Sequence, residues 1–390
     1  MKILAVDFSN SSIRFSLFND NCNTVLADGL FERIGFENSK YTFNFNEEAI
    51  SEEIEMSNQD EAVKILLMKL KDLDLIEEYD EIRAVGHKII HGGNKYGESV
   101  LINEFVISEL EKLIALAPLH TSASLKGIQA FQKYLPNSLM IGVFDTGFYQ
   151  DIPQYNFLYP VPYKWYTNYQ VRKYGFNGLN HGAIAKEVKK LLNKSDFKLI
   201  SCYCDKVVSV SAVDGMKCID TSMGFTPLSG AMMATRSGDI DSSVIPYVME
   251  KEGKSASEIL EDLNKSSGLL GLSEYSNSIF DIIEKADAGD EKCIIAREKY
   301  VRRIVDYIAE YYVLLGGVDV IAFSGTALLY SAELREEICK RLQILNVQID
   351  EAKNNSVEGI TKIDSSSAVE LYVIPTNDIL CIAEETFKYI

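Results

Sequence analysis

The feature that most constrains this chain is an opening that occurs twice. Ile3-Leu4-Ala5-Val6 is a short apolar run closed by Asp7, and the small polar turn Phe8-Ser9-Asn10-Ser11-Ser12 follows it. Ile13-Arg14-Phe15-Ser16-Leu17-Phe18 then alternates apolar and polar residues until Asn19-Asp20-Asn21. This reads as strand, turn, alternating strand and a closing hairpin turn. Roughly 195 residues later the run Leu199 to Cys204, the turn Asp205-Lys206, the run Val207 to Val213 and the closing Asp214-Gly215 repeat it. Such a copy predicts a duplicated domain, and 390 residues are more than one ordinary core accommodates. The small residues of the first turn offer backbone N–H groups and hydroxyls to an anion.

Between the copies the pattern alternates. Gln59 to Leu75 carries helical periodicity, and Arg83 to Ile90 reads as a buried strand. Asn103 to Leu116 is a predicted helix running into the turn Ala117-Pro118-Leu119-His120, and Ser122 to Leu135 is the next helix. Leu139 to Phe144 is a strand ending at Asp145-Thr146. Alternation of this kind predicts an α/β fold with a mainly parallel sheet and ligands at the carboxyl ends of strands, where His91, His120 and Asp145 fall. In the second half, Tyr174 to His181 opens a helix over Gly182 to Leu192. Ser255 to Leu263, Asp281 to Leu315 and Ser331 to Leu345 read as helices, Val318 to Phe323 and Val369 to Ile374 as strands. Asp378 to Ile390 is the final helix, while 264–278 and 352–367 read as loops.

A net charge of −18 argues against a nucleic-acid or anionic-membrane partner, and it requires that an anionic substrate be held by locally placed cations. A hydrophobic fraction of 47% beside 25% charged residues is globular composition. Cys202 and Cys204 lie on one face of a strand and lack metal-site spacing, so reduced buried thiols in a cytosolic protein are expected. The N-terminal apolar run is too short for a signal peptide. The longest apolar stretch, Tyr311 to Gly325, is interrupted by Gly316, Gly317 and Asp319, so no membrane span is expected. These readings together predict a soluble, cytoplasmic protein.

The least ordinary stretch is Asp220-Thr221-Ser222-Met223-Gly224-Phe225-Thr226-Pro227-Leu228-Ser229-Gly230, continued to Thr235-Arg236-Ser237-Gly238-Asp239-Ile240-Asp241. One arginine among small residues lets backbone approach a ligand, and its planar fork suits phosphate or carboxylate. The stretch resembles the signature of the acetate kinases, members of the hexokinase–actin superfamily. Val85-Gly86-His87-Lys88-Ile89-Ile90-His91-Gly92-Gly93, Ala117 to His120, Phe144 to Phe148, Tyr174 to His181 and Ile374 to Asp378 resemble further motifs of that family, in order and spacing.

The resemblance implies two duplicated ribonuclease-H-like or actin-like domains with a central cleft: residues 1–148 with the C-terminal helix 380–390, and residues 149–379. It implies in-line phosphoryl transfer between acetate and ATP or ADP, with Mg²⁺ as cofactor and a homodimer as the assembly. Carried over by position, Arg236 clamps the phosphoryl group, Asp145 organises the acetate and His120 binds phosphate. Ile90, Leu119, Phe176 and Pro227 form the acyl pocket, and Asp7 and Asp378 hold the metal. Arg14, Asp205, Lys206, Val207, Gly325 and Thr326 fall on the nucleotide side.

Departures from the family pattern concentrate on that side. Asp7 stands for Asn, Asn10 for Ser, Arg14 for Lys, Lys88 for Arg, Asn177 for a histidine of the transition state and Asp378 for Glu. The Gly-rich phosphate loop is Tyr203 to Ser209 here, and the Gly-Ile-Gly-Glu-Asn loop is Thr326 to Tyr330. Val207, Leu328 and Leu329 are expected to put bulk where backbone should approach a nucleotide. An acetate-kinase-type phosphotransferase is therefore the expected activity. A different phosphoryl donor such as pyrophosphate, and an inactive relative binding a small anion or acyl phosphate, stand as the alternatives.

Overall fold

The computed structural model describes every residue except Ala115, Ala117, Ser366 and Ser367 and the side chains of 118–120. The chain divides into two compact units, Met1–Gly147 with Asn377–Ile390, and Phe148–Thr376.

The first unit is built on a sheet of strands β1 (Lys2–Phe8), β2 (Ser12–Asn19), β3 (Val25–Glu32), β4 (Lys40–Phe45), β5 (Glu48–Glu53), β6 (Ile82–Ile89), β7 (Val100–Leu101) and β8 (Leu139–Phe144). Their order across the sheet is β5-β4-β3-β2-β1-β6-β8-β7. Central β1 is buried along most of its length because β2 runs antiparallel on one side and β6 parallel on the other. Strands β3 to β5 extend the meander through a stretch that the sequence pattern leaves unassigned. The helices Gln59–Asp72 and Pro118–Tyr134 supply Ala62, Val63, Leu66, Leu67, Leu70, Ile128 and Phe131 to the core over the sheet.

The C-terminal helix, Asp378–Phe387, belongs to this unit and packs on β1 and β6. Gly86 makes that approach possible: a Cβ there would lie 2.0 Å from Thr386 Oγ1 and 2.8 Å from Ile382 Cγ2.

The second unit carries β9 (Lys198–Cys204), β10 (Val208–Asp214), β11 (Lys217–Thr221), β12 (Val320–Ser324), β13 (Thr361–Lys362) and β14 (Glu370–Val373), in the order β11-β10-β9-β12-β14-β13. The helix Gly178–Leu192 buries Ile184, Ala185 and Val188 in a cluster with Leu199, Val213, Val320 and Ala322. The run β11-β10-β9-β12-β14 reproduces β3-β2-β1-β6-β8 in order and direction, with an antiparallel hairpin on one side of the first strand and parallel strands on the other. The protein is a duplicated α/β fold of ribonuclease-H-like, actin-like type.

Local differences from the sequence reading have local causes. The predicted helix 281–315 is two, Ile279–Asp287 and Glu291–Leu314, because Asp290 caps a new start by accepting from the Cys293 N–H at 3.0 Å. Of the turn expected at 117–120, Ala117 lies outside the described residues and 118–120 are helical: Pro118 occupies the first position of its helix, where a missing N–H costs nothing. Thr326–Tyr330, read as an open loop, forms a short helix. The loop at 264–278 contains the short helix Gly268–Ser273, and the one expected at 352–367 begins inside the helix Glu351–Asn355 and includes β13.

Candidate active site

In the first unit the parallel strands bring three charged residues to one edge. Asp7 lies near the carboxyl end of β1, Lys88 near that of β6, and Asp145 directly follows β8. Arg14 sits opposite Asp7 in the β1–β2 hairpin register. Asp378 arrives from far along the chain as the first residue of the C-terminal helix, whose N-cap is Asn377. A carboxylate in that position is favoured by the positive end of the helix.

These residues form one ion cluster. Lys88 Nζ donates to Asp378 Oδ2 at 2.7 Å and lies 3.4 Å from Asp7 Oδ2. Arg14 Nη2 donates to both oxygens of Asp378, at 2.6 and 2.7 Å, and lies 3.3 Å from Asp7 Oδ2. Only that one guanidinium nitrogen is engaged, so among the described residues Nε and Nη1 carry no bond. Burial works against the Lys88 charge, but Asp7, Asp378 and Asp145 outweigh it and hold its pKa above the ordinary lysine value. Burial likewise opposes the Asp378 carboxylate, yet Lys88 and Arg14 bring its pKa down to about 2. Arg14 is also raised, its burial outweighed by Asp378 and Asp7.

Asp145 is buried, and its N–H donates to the Ile89 carbonyl at 2.9 Å. The neighbouring Thr146 Oγ1 accepts from the Gly92 N–H at 2.9 Å, fastening the turn after β6 to the end of β8. The hydroxyls of Ser9 and Ser12 meet at 2.6 Å, so the first hairpin turn closes on itself. Ile90 is half-buried. Pro118, Leu119 and His120 lie in a helical turn, and the side chains of Leu119 and His120 fall outside the described residues.

In the second unit Arg236 is half-buried in the signature stretch, and burial lowers its pKa. Among the described residues no group bonds its guanidinium. A partly desolvated, unpaired cation is costly unless an anion compensates it. Its backbone is held firmly: the Met233 N–H donates to its carbonyl at 3.1 Å and the Ser237 N–H to Leu263 O at 3.0 Å. Asp239 braces the same loop, accepting from the Gly230 N–H at 2.7 Å, from Arg303 Nη2 at 2.9 Å and from the Tyr307 hydroxyl. Sequence reading missed Arg303 and Tyr307, since nothing local ties a helix face to a loop some 60 residues upstream.

Asn177 takes φ 62° as N-cap of the helix Gly178–Leu192. Its Nδ2 donates to Ser209 Oγ at 2.9 Å, and Ser209 Oγ meets His181 Nε2 at 2.8 Å. His181 Nδ1 meets Ser201 Oγ at 2.8 Å. Ser209 Oγ thus accepts from Asn177 and keeps a second lone pair and its own proton for His181 Nε2, while Ser201 faces Nδ1. Burial pushes His181 down to about 3, consistent with a neutral ring. Ser201 and Ser209 gave no sequence signal beyond small polar residues in an apolar hairpin. Phe176 is almost fully buried and Pro227 half-buried.

In the β9–β10 turn, expected from the sequence to meet the nucleotide, Asp205 and Lys206 are exposed and Val207 half-buried, and Asp205 N–H donates to Val207 O at 2.9 Å. The turn is tied to the signature stretch by Ala234 N–H to Lys206 O at 3.2 Å. Gly325, at φ 80°, presses on β9: a Cβ would lie 2.4 Å from Cys204 O. The expectation that Leu328 obstructs a ligand is corrected, because its side chain is fully buried. Arg335 fastens this turn, donating to Leu328 O at 2.6 Å, Leu329 O at 2.9 Å and Asn354 Oδ1 at 2.6 Å. What faces outward is Thr326 and Tyr330, the latter 78% exposed.

Among the described residues no three His, Cys, Asp or Glu side chains gather as a metal cage. As they stand, Asp7 and Asp378 do not fit a resident divalent cation, because both Asp378 oxygens already accept from cationic side chains. No described helix is long and apolar enough to cross a membrane.

Comparison with known proteins agrees with this architecture. A model of the Acetokinase family matches residues 2–384. The acetate kinase of Phytoplasma australiense is 44% identical over 390 residues, covering 100% of this chain and 98% of that protein. The crystal structure of Porphyromonas gingivalis acetate kinase superposes with a TM-score of 0.94 at 34% identity over 99% of both chains. A propionate kinase from Francisella tularensis subsp. tularensis SCHU S4 gives 0.94 and 34% over 100% of both.

Proposed function

The chain belongs to the acetokinase family, and from that premise we propose that it transfers a phosphoryl group reversibly between ATP and the carboxylate of acetate, giving acetyl phosphate and ADP. The observation that carries this reading is Arg236, a half-buried cation on a braced loop with no internal partner among the described residues. Phosphoryl transfer asks a protein mainly for positioning and for compensation of charge on the transferring group. A planar guanidinium in a partly desolvated setting supplies both.

Other roles follow by position. Asp145 orients the attacking carboxylate, and His120, Lys88 and the unengaged face of Arg14 meet phosphate oxygens. Asn177 holds an N–H donor where a histidine would carry charge, with its orientation set by Ser209. Ile90, Leu119, Phe176 and Pro227 are assigned to the acyl group by their positions in the family motifs. Gly325, Thr326 and the Asp205-Lys206-Val207 turn meet the nucleotide. The divalent metal of the reaction is assigned to Mg²⁺, a hard cation suited to phosphate and carboxylate oxygens.

Seven free cysteines suit a reducing compartment, and we place the protein in the cytoplasm, as a homodimer by analogy with the family. Purified protein given acetyl phosphate, Mg²⁺ and either ADP or inorganic phosphate tests the reading. ATP formation supports it; pyrophosphate formation without ATP reassigns the donor; neither product refutes a phosphotransferase.

A further inference from the structure

Two departures noted separately in the sequence meet on one carboxylate. The family pattern has Lys where Arg14 stands and Arg where Lys88 stands, and both side chains donate to Asp378. The exchange conserves two cations against two carboxylates, so Asp7, Arg14, Lys88 and Asp378 sum to no net charge. Lys88 and Asp378 expose only 11% and 12% of their side chains, whereas Arg14 exposes 46%.

We propose that in the ligand-free protein Arg14 and Lys88 act as internal counter-ions that exclude a divalent cation from Asp7 and Asp378, and that a phosphate-bearing ligand opens the site by taking up those two cations. A free divalent cation would have to displace hydrogen bonds from both Asp378 oxygens and strand a nearly buried ammonium beside it. An anion removes that obstacle, because Arg14 Nε and Nη1 are unengaged among the described residues and Lys88 has further protons to share. Metal and phosphate binding are then coupled, and by linkage each strengthens the other by the same factor.

The inference rests on the proposed function only for the class of anion, and its test needs no turnover. Mn²⁺ alone is titrated into nucleotide-free protein and the free ion followed by electron paramagnetic resonance. Wild type should show no Asp378-dependent site below millimolar concentrations. The Arg14→Gln/Lys88→Met double variant should bind one Mn²⁺ at least about tenfold more tightly than wild type, and adding Asp378→Asn should abolish the gain. Inorganic phosphate should raise wild-type Mn²⁺ affinity, and Mn²⁺ should raise phosphate affinity equally. The single variant Lys88→Met, with a native circular dichroism spectrum and melting temperature, serves if the double variant fails to fold. A wild-type Mn²⁺ site lost in Asp378→Asn, or a folded variant without gain, overturns the proposal. Absence of kinase activity would instead count against the proposed function and leave this readout intact.

Discussion

Lys88 Nζ and Asp378 Oδ2 lie 2.7 Å apart although 290 residues separate them in the chain. Strand β6 delivers one and the start of the C-terminal helix the other, so this pair, with Arg14, fastens the chain end to the centre of the first sheet. Because Arg14 and Lys88 share one acceptor, they should act as a unit. Lys88→Arg and Arg14→Lys should each lower kcat/KM by about tenfold, and the double exchange should recover most of that loss. The resulting coupling energy should fall within roughly 0.5–3 kcal/mol, the range for residues in one ion network. Additive losses in the double-mutant cycle would show that the two cations work independently.

Arg236→Ala should lower kcat/KM by about 100-fold or more, the scale for removing one donor aimed at developing charge. Arg236→Lys should not restore it, since a point charge cannot reproduce the fork. Steady-state kinetics with a thermal melt decides: activity near wild type in a folded Arg236→Ala protein would make this arginine a structural charge.

Ser209 joins Asn177 to His181, and its removal tests the relay. Ser209→Ala should lower kcat about tenfold with KM changed by no more than about twofold, because orientation and not ground-state binding is lost. Ser209→Thr, which keeps the hydroxyl, should retain activity. A lower melting temperature with kcat unchanged would assign the relay to stability alone.

His87 is fully buried against Phe8 and Phe131, its Nδ1 has no partner among the described residues, and burial lowers its pKa to about 3. The unfolded chain takes up the proton near pH 6.5, the native protein only near 3. Stability from keeping this ring neutral is therefore complete above about pH 6.5 and is lost as pH falls towards 3, at about 1.4 kcal/mol per pH unit. His87→Leu should flatten the acid limb of a urea-stability profile by about that slope. An unchanged limb would show that His87 takes up its proton over the same pH range in the native and unfolded protein.

Gly86→Val should destabilise by about 1–3 kcal/mol or more, since a Cβ there would overlap Thr386 and Ile382. Urea unfolding measures the loss. Removal of the C-terminal helix contact by Ile382→Ala should cost less in the Gly86→Val background than in wild type, because the two changes share one interface.

Much of this protein was legible in its sequence because the responsible forces are local. Apolar runs, alternation and polar turns marked β1, β2, β9 and β10, and the repeat of that opening announced a duplicated fold. Helix starts follow from side chains two or three residues away: Asn103 accepts from the Val106 N–H at 3.0 Å, and Ser331 from the Leu334 N–H at 3.1 Å. The signature around Arg236 could be recognised because a loop of small residues, one proline and one arginine is rare as a continuous string. Tertiary structure alone decided that Leu328 turns into the core, that Ser201 and Ser209 grip His181 from adjacent strands, and that Arg14, Lys88 and Asp378 meet. Each of those outcomes depends on which surface a side chain finds after distant segments have packed, and the energy of such a contact leaves no trace in the periodicity of either segment.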